Sequence, residues 1–146
     1  MRILRRRLLS SLPKTCKTFL HSDSCVYKIE KMEDFSKNYM GQYTYIGIKN
    51  KLLLMVNPDL HEDGDIELII NIDGFKPFKG SKCKIWPSLC KIFNKLNLYP
   101  LFPAAIYSGI SHPKDIYKYS KILIEELNLL SKEGIVIKGK KFNVFF

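Results

Sequence analysis

Apolar and polar positions divide this chain into segments of clearly different periodicity. Residues 66–72 form a branched apolar run, Ile-Glu-Leu-Ile-Ile-Asn-Ile, of strand length. Residues 84–93 and 102–110 read as two further strands, separated by the break at Leu98, Tyr99 and Pro100. Ser111-His112-Pro113 then opens the clearest helix, in which Ile116, Tyr119, Ile122, Ile124, Leu127 and Leu130 recur near helical spacing; Lys132 and Gly134 supply its stop. The stripe of Ile116, Tyr119, Ile122 and Leu127 is expected to pack on the sheet. Residues 134–138 and 142–146 read as short strands on either side of Lys140 and Lys141.

Upstream the pattern weakens. Tyr43, Tyr45, Ile46 and Ile48, followed by Asn50-Lys51 and the apolar residues 52–56, predict a small hairpin. An acidic, polar loop at 57–65 separates it from the first long strand. Residues 1–40 read as a basic arm with one or two helical turns broken at Pro13, and residues 41–146 as the domain. The expected order is three strands, a helix and a strand. A helical crossover of this type is sterically reasonable between parallel strands.

Composition narrows the partners. The chain has 146 residues, 46% hydrophobic and 12% aromatic, enough to build one core. Its 24 Lys+Arg against 14 Asp+Glu give a formal charge of +10, which favours a polyanion such as DNA but does not by itself choose the partner. Cys16, Cys25, Cys83 and Cys90 form no Cys-x-x-Cys pair, which argues against zinc and fits a reducing compartment. The apolar stretch at the N-terminus is interrupted by Arg5, Arg6 and Arg7, too short for a secretory signal or a membrane span, and no membrane association is expected. His21, His61 and His112 are dispersed without a triad-like companion and receive no catalytic role.

The sharpest local feature is Asn71-Ile72-Asp73-Gly74-Phe75-Lys76-Pro77-Phe78-Lys79-Gly80-Ser81, followed by Trp86-Pro87. An apolar run carries one carboxylate, Asp73, to a strand end. In isolation Asp73-Gly74 is an ordinary turn. Lys76, Lys79, Lys82 and Lys84 suit a phosphate track or a solvated loop equally. Trp86 suits an anchor better than a base-stacking platform.

This block resembles the start of the catalytic domain of CACTA-like (En/Spm-like) transposases in the RNase H-like, DDE/D superfamily, where a Ser/Asn-x-Asp-Gly segment precedes Phe-Lys-Ser and Trp-Pro. Leu12-Pro13-Lys14-Thr15 with Thr18-Phe19-Leu20, the segment from Gly41 to Gly47 with its Gly-x-Tyr-x-Tyr-x-Gly pattern, and Ser111-His112-Pro113 extend the likeness, with His112 where the family has Lys and Gly80 where Ser is common. The resemblance implies an α/β fold, an incomplete RNase H-like domain preceded by the arm and hairpin, in which the first three strands form a meander and the helix returns the chain so that the last strand lies beside the first. It also implies a nuclear location, Asp73 as first catalytic acid and metal ligand, and Mg²⁺ or Mn²⁺ as cofactor.

Two-ion phosphodiester chemistry needs several hard carboxylates. The family's second acid would fall just beyond Phe146, and the third later still. Asp63 and Asp65 precede the first strand, Glu67 is mid-strand, and Asp115, Glu125 and Glu126 belong to the helix or its start, so none is an obvious substitute. The sequence therefore predicts a transposase-derived fragment that does not catalyse alone. The competing reading is a non-catalytic nucleic-acid or protein-interaction module. A truncated sheet would leave an edge open to self-association or to another chain.

Overall fold

The computed structural model describes residues 27–95 and 98–146. They form an α/β structure with one seven-stranded sheet and two helices. The strands are β1 (Ile29–Glu33), β2 (Met40–Tyr45), β3 (Asp65–Ile72), β4 (Lys84–Ile92), β5 (Phe102–Gly109), β6 (Ile135–Ile137) and β7 (Lys140–Phe145); the helices are α1 (Lys49–Met55) and α2 (Ile116–Glu133). Strand order across the sheet is β1-β2-β5-β4-β3-β7-β6. β3, β4 and β5 form an antiparallel meander, α2 crosses back, and β7 pairs in parallel with β3. The expected placement of the last strand beside the first is thus observed, with β6 added as its antiparallel hairpin partner.

Two expectations are corrected. The hairpin predicted over residues 43–56 is not formed, because residues 52–56 lie in or just after α1. Ile48, Leu52 and Val56 are buried while Leu53 and Leu54 are exposed, a spacing of four that only a helix satisfies here. β2 instead pairs with β1, whose Ile-Glu-Lys-Met-Glu sequence buries only Met32 and so reads as part of a polar arm. The Gly41–Gly47 likeness accordingly covers a strand, β2, before the chain turns at Gly47 with φ +92°.

The stripe of α2 is also shifted. Its buried residues are Tyr119, Leu123, Leu127 and Leu130, whereas Ile116, Ile122 and Ile124 are exposed. Successive helical residues turn by about 100°, which puts Ile122 and Ile124 well to either side of the Leu123–Leu127 line. Asp115 caps the helix by accepting from Lys118 N–H at 3.0 Å. Gly134 ends it at φ +72°, where a Cβ would stand 2.4 Å from the Phe142 carbonyl oxygen.

The main core lies where α1 and α2 meet the sheet, around Ile48, Leu52, Ile66, Ile92, Leu123 and Phe142. Cys90 sits in it as a small hydrophobe, its thiol pushed up to about 12 by burial. Pro87 is tolerated inside β4 because its nitrogen faces the β3 side just beyond the last β3–β4 pair, Ile72 with Ser88, where no ladder hydrogen bond is lost. A second cluster gathers Met32, Tyr43, Ala105, Tyr107 and Tyr119.

Glu126 joins the two helices. Its carboxylate accepts from the backbone N–H groups of Ile48 (2.8 Å) and Lys49 (3.1 Å) at the start of α1, and from the Tyr45 hydroxyl. Replacing Glu126 with Gln removes the charge that faces those N–H groups and is expected to cost about 1 kcal/mol of stability. Urea unfolding of the two proteins measures the difference.

Candidate nucleic-acid interface

β3 ends at Ile72, and Asp73-Gly74 carries the chain into a loop that closes where Phe75 and Ile85 exchange two backbone hydrogen bonds of 2.9 Å. Gly74 is required by packing rather than by its dihedral angle. A Cβ there would stand 2.2 Å from the Trp86 ring. Trp86 is therefore the anchor under the turn, half-buried, edge-on to His112 at 5.9 Å between centroids, with its indole N–H enclosed. The base-stacking alternative does not suit it.

Beyond the neck, the loop is held by its own hydrogen bonds. Ser81 N–H donates to the Phe78 carbonyl at 3.1 Å, making a turn with Gly80 at φ +87° in its third position. Ser81 is buried, and its hydroxyl donates to the Cys83 carbonyl (3.0 Å) and accepts from Cys83 N–H (3.1 Å). On this frame Lys76, Lys79 and Lys82 are exposed and Lys84 is half-buried at the start of β4. The four lysines singled out from sequence share one loop and its closing strand.

Two neighbours of these lysines were missed as site residues. Phe75 is 51% exposed and Phe78 is 68% exposed, on a loop with fixed backbone geometry. The available signal was the interleaving Phe-Lys-Pro-Phe-Lys, aromatic residues placed in a Pro/Gly turn instead of on the inward positions of a strand. Charge is segregated as well. From Gly74 through Lys114 the sequence has seven lysines and no acid.

Asp73 itself is exposed, and one carboxylate oxygen accepts from Gly74 N–H at 2.7 Å. Asp65 lies at the other end of β3, where its side chain accepts from Asn143 at 3.0 Å. Glu67 is mid-strand and exposed. Asp115 and Glu126 are engaged in capping, and Glu125 faces Lys121 at 4.0 Å. Among the described residues no three His, Cys, Asp or Glu side chains gather in a group that could hold a metal ion. The donor set around Asp73 does not fit a two-ion centre.

No protein-family model, curated protein or solved structure matches this chain. The parallel register sets Asp65 opposite Asn143 and Glu67 opposite Phe145, so among the described residues β7 flanks the first part of β3 and does not pair with Asp73. Glu67 directs its carbonyl toward β4, accepting from Phe93 N–H at 2.7 Å, whereas Gly64 accepts from Asn143 on the β7 side. By alternation, Leu68 N–H faces Phe145 of β7, and the N–H and C=O groups of Ile70 and Ile72 lie on the same side beyond the pairs that β7 makes. Among the described residues no helix is long and apolar enough to cross a membrane.

The buried histidine offers no competing site. His61 Nδ1 lies 3.1 Å from the Asp65 carbonyl oxygen, to which it donates. Its Nε2 accepts from the Tyr99 hydroxyl at 3.1 Å, and that hydroxyl accepts in turn from Asn57 N–H. The imidazole is fully used in holding the loop before β3. His112 donates from Nδ1 to the Pro113 carbonyl and stacks on Phe35. His21, Cys16, Cys25 and the Leu12–Leu20 likeness lie outside the described residues.

Proposed function

We propose that this chain is a transposase-derived nucleic-acid-binding unit on the RNase H-like plan, binding phosphates through the β3–β4 loop and not catalysing by itself. The observation that carries the reading is the ordered, acid-free loop with Lys76, Lys79 and Lys82 exposed immediately after Asp73. Lysines so placed neutralise phosphates and release counterions, with no carboxylate inside the loop to repel the ligand. The order β5-β4-β3-β7, with β7 parallel to β3, supports the RNase H-like assignment, and β1, β2 and β6 extend that core at both edges.

Asp73 occupies the strand end where the resemblance places the first acid. With one carboxylate, Mg²⁺ or Mn²⁺ has too few hard ligands for two-ion chemistry.

Binding of the protein to labelled DNA from about 50 to 200 mM salt tests the reading. Affinity is expected to fall steeply as salt rises and to be the same for Asp73→Asn, with or without Mg²⁺. Salt-independent binding, or no binding at the lowest salt, would sink it. Mg²⁺-dependent nicking by the wild type that Asp73→Asn abolishes would restore an enzymatic reading.

A further inference from the structure

The same loop carries aromatic surface that phosphate binding does not use. Phe78 opens the Phe78–Ser81 turn and Phe75 stands at the neck, each with at least half of its surface exposed. An exposed Phe costs solubility, and an unstructured loop could fold such rings inward. Here the neck hydrogen bonds, the turn and the buried Ser81 fix the backbone that presents them. Lys76 and Lys79 directly follow the two rings in sequence, and Lys82 and Lys84 continue the basic run.

Rings flanked by cations on a preorganised backbone match the two requirements of a strand with unpaired bases. Its phosphates pair with ammonium groups, and its bases offer faces to stack on aromatic side chains. A paired duplex offers the phosphates but keeps its base faces within the stack. We infer that the β3–β4 loop binds single-stranded or locally unpaired nucleic acid, with Phe78 and Phe75 stacking bases between lysine–phosphate contacts. This rests on the nucleic-acid reading above and narrows it to a ligand class. Charge complementarity favours it over a lipid surface, because the four lysines between residues 76 and 84 outnumber the two exposed rings and leave little apolar area to insert.

The test compares labelled oligothymidylate with a labelled hairpin duplex, using the full chain, Phe78→Ala, Phe78→Trp and the combined Lys76→Ala, Lys79→Ala, Lys82→Ala protein. The single strand is expected to bind on the order of 10-fold or more tighter than the duplex. Phe78→Ala should lose on the order of 10- to 100-fold on the single strand with the salt slope unchanged, whereas Phe78→Trp retains binding. Since Phe78 is mostly exposed, circular dichroism of Phe78→Ala should match the wild type. Equal affinity for both ligands with no effect of Phe78→Ala, but weakening in the lysine variant, overturns base stacking and leaves phosphate binding intact. Loss of both ligands in the wild type overturns both readings. Phe78-dependent binding to vesicles of equal parts phosphatidylserine and phosphatidylcholine, without oligonucleotide binding, replaces the inference with a lipid surface.

Discussion

Replacing Lys76, Lys79 and Lys82 together with alanine is expected to weaken nucleic-acid binding by on the order of 10- to 100-fold near 0.15 M salt, while leaving the fold unchanged. All three side chains are exposed and none is in an ion pair among the described residues, so their removal disturbs no packing. Each lysine that neutralises one phosphate contributes roughly 0.7 to 0.9 to the slope of log affinity against log salt. The triple variant should therefore flatten that slope by about 2 to 3, a larger and more specific effect than the loss at any single salt concentration. Fluorescence anisotropy across a salt series reads both quantities. A variant with weaker binding but an unchanged slope would place the phosphate contacts elsewhere on the chain.

The largest expected effect on stability is at Asp34. Its carboxylate, 3% exposed, accepts from Ser36 N–H at 2.7 Å, the Tyr107 hydroxyl at 2.7 Å and Ser111 N–H at 3.0 Å, and so ties the β1–β2 loop to the end of β5. Two glycines make room for this cluster. A Cβ on Gly109 would stand 2.2 Å from the Asp34 carboxylate, and one on Gly41 would stand 2.3 Å from the Tyr107 hydroxyl. Asp34→Ala leaves a buried hydroxyl and two N–H groups without their acceptor and is expected to cost about 3 kcal/mol. Tyr107→Phe, which removes one bond and keeps the ring, is expected to cost about 1 kcal/mol.

The cluster also fixes a pH dependence. Burial alone would raise the Asp34 pKa, but the bonds from Ser111, Tyr107 and Ser36 bring it below its ordinary value of 3.8. A carboxyl whose folded pKa is depressed stabilises the fold fully above its unfolded value and loses that contribution as pH falls through the folded one. The stability gap between wild type and Asp34→Asn should thus be constant above about pH 5 and shrink below pH 4. Chemical denaturation at several pH values measures it.

Much of this architecture was readable from periodicity alone. The branched run that became β3 and the 18-residue α2 announce themselves because burial on one side leaves a repeating signal. The parallel neighbour of β3 came with the resemblance to the RNase H-like order, to which a helical crossover is sterically suited. What escaped has physical causes. β1 is an edge strand whose charged residues face water, so its single buried residue, Met32, makes no pattern. α1 is only seven residues long, and its three consecutive leucines satisfy a strand template as well as a helix; the deciding cap, Glu126, lies over seventy residues away.

The site divides in the same way. Asp73 and the four lysines were visible as residue types, and the fold brings the lysines together because the loop closes at Phe75 and Ile85. Trp86 was readable as an anchor, but its contact with Gly74 was not, since nothing in sequence says which ring a glycine must clear. Phe75 and Phe78 were overlooked because aromatic residues are counted toward a core until their exposure is known.

The central claim is that residues from Gly74 to Lys84 form the nucleic-acid contact. Amide chemical-shift mapping of isotope-labelled protein titrated with oligothymidylate tests it most directly. The largest shifts are expected at Phe75, Lys76, Phe78, Lys79 and Lys82, with β6 and β7 unaffected. Shifts concentrated away from this loop, or none at saturating oligonucleotide, would contradict the account.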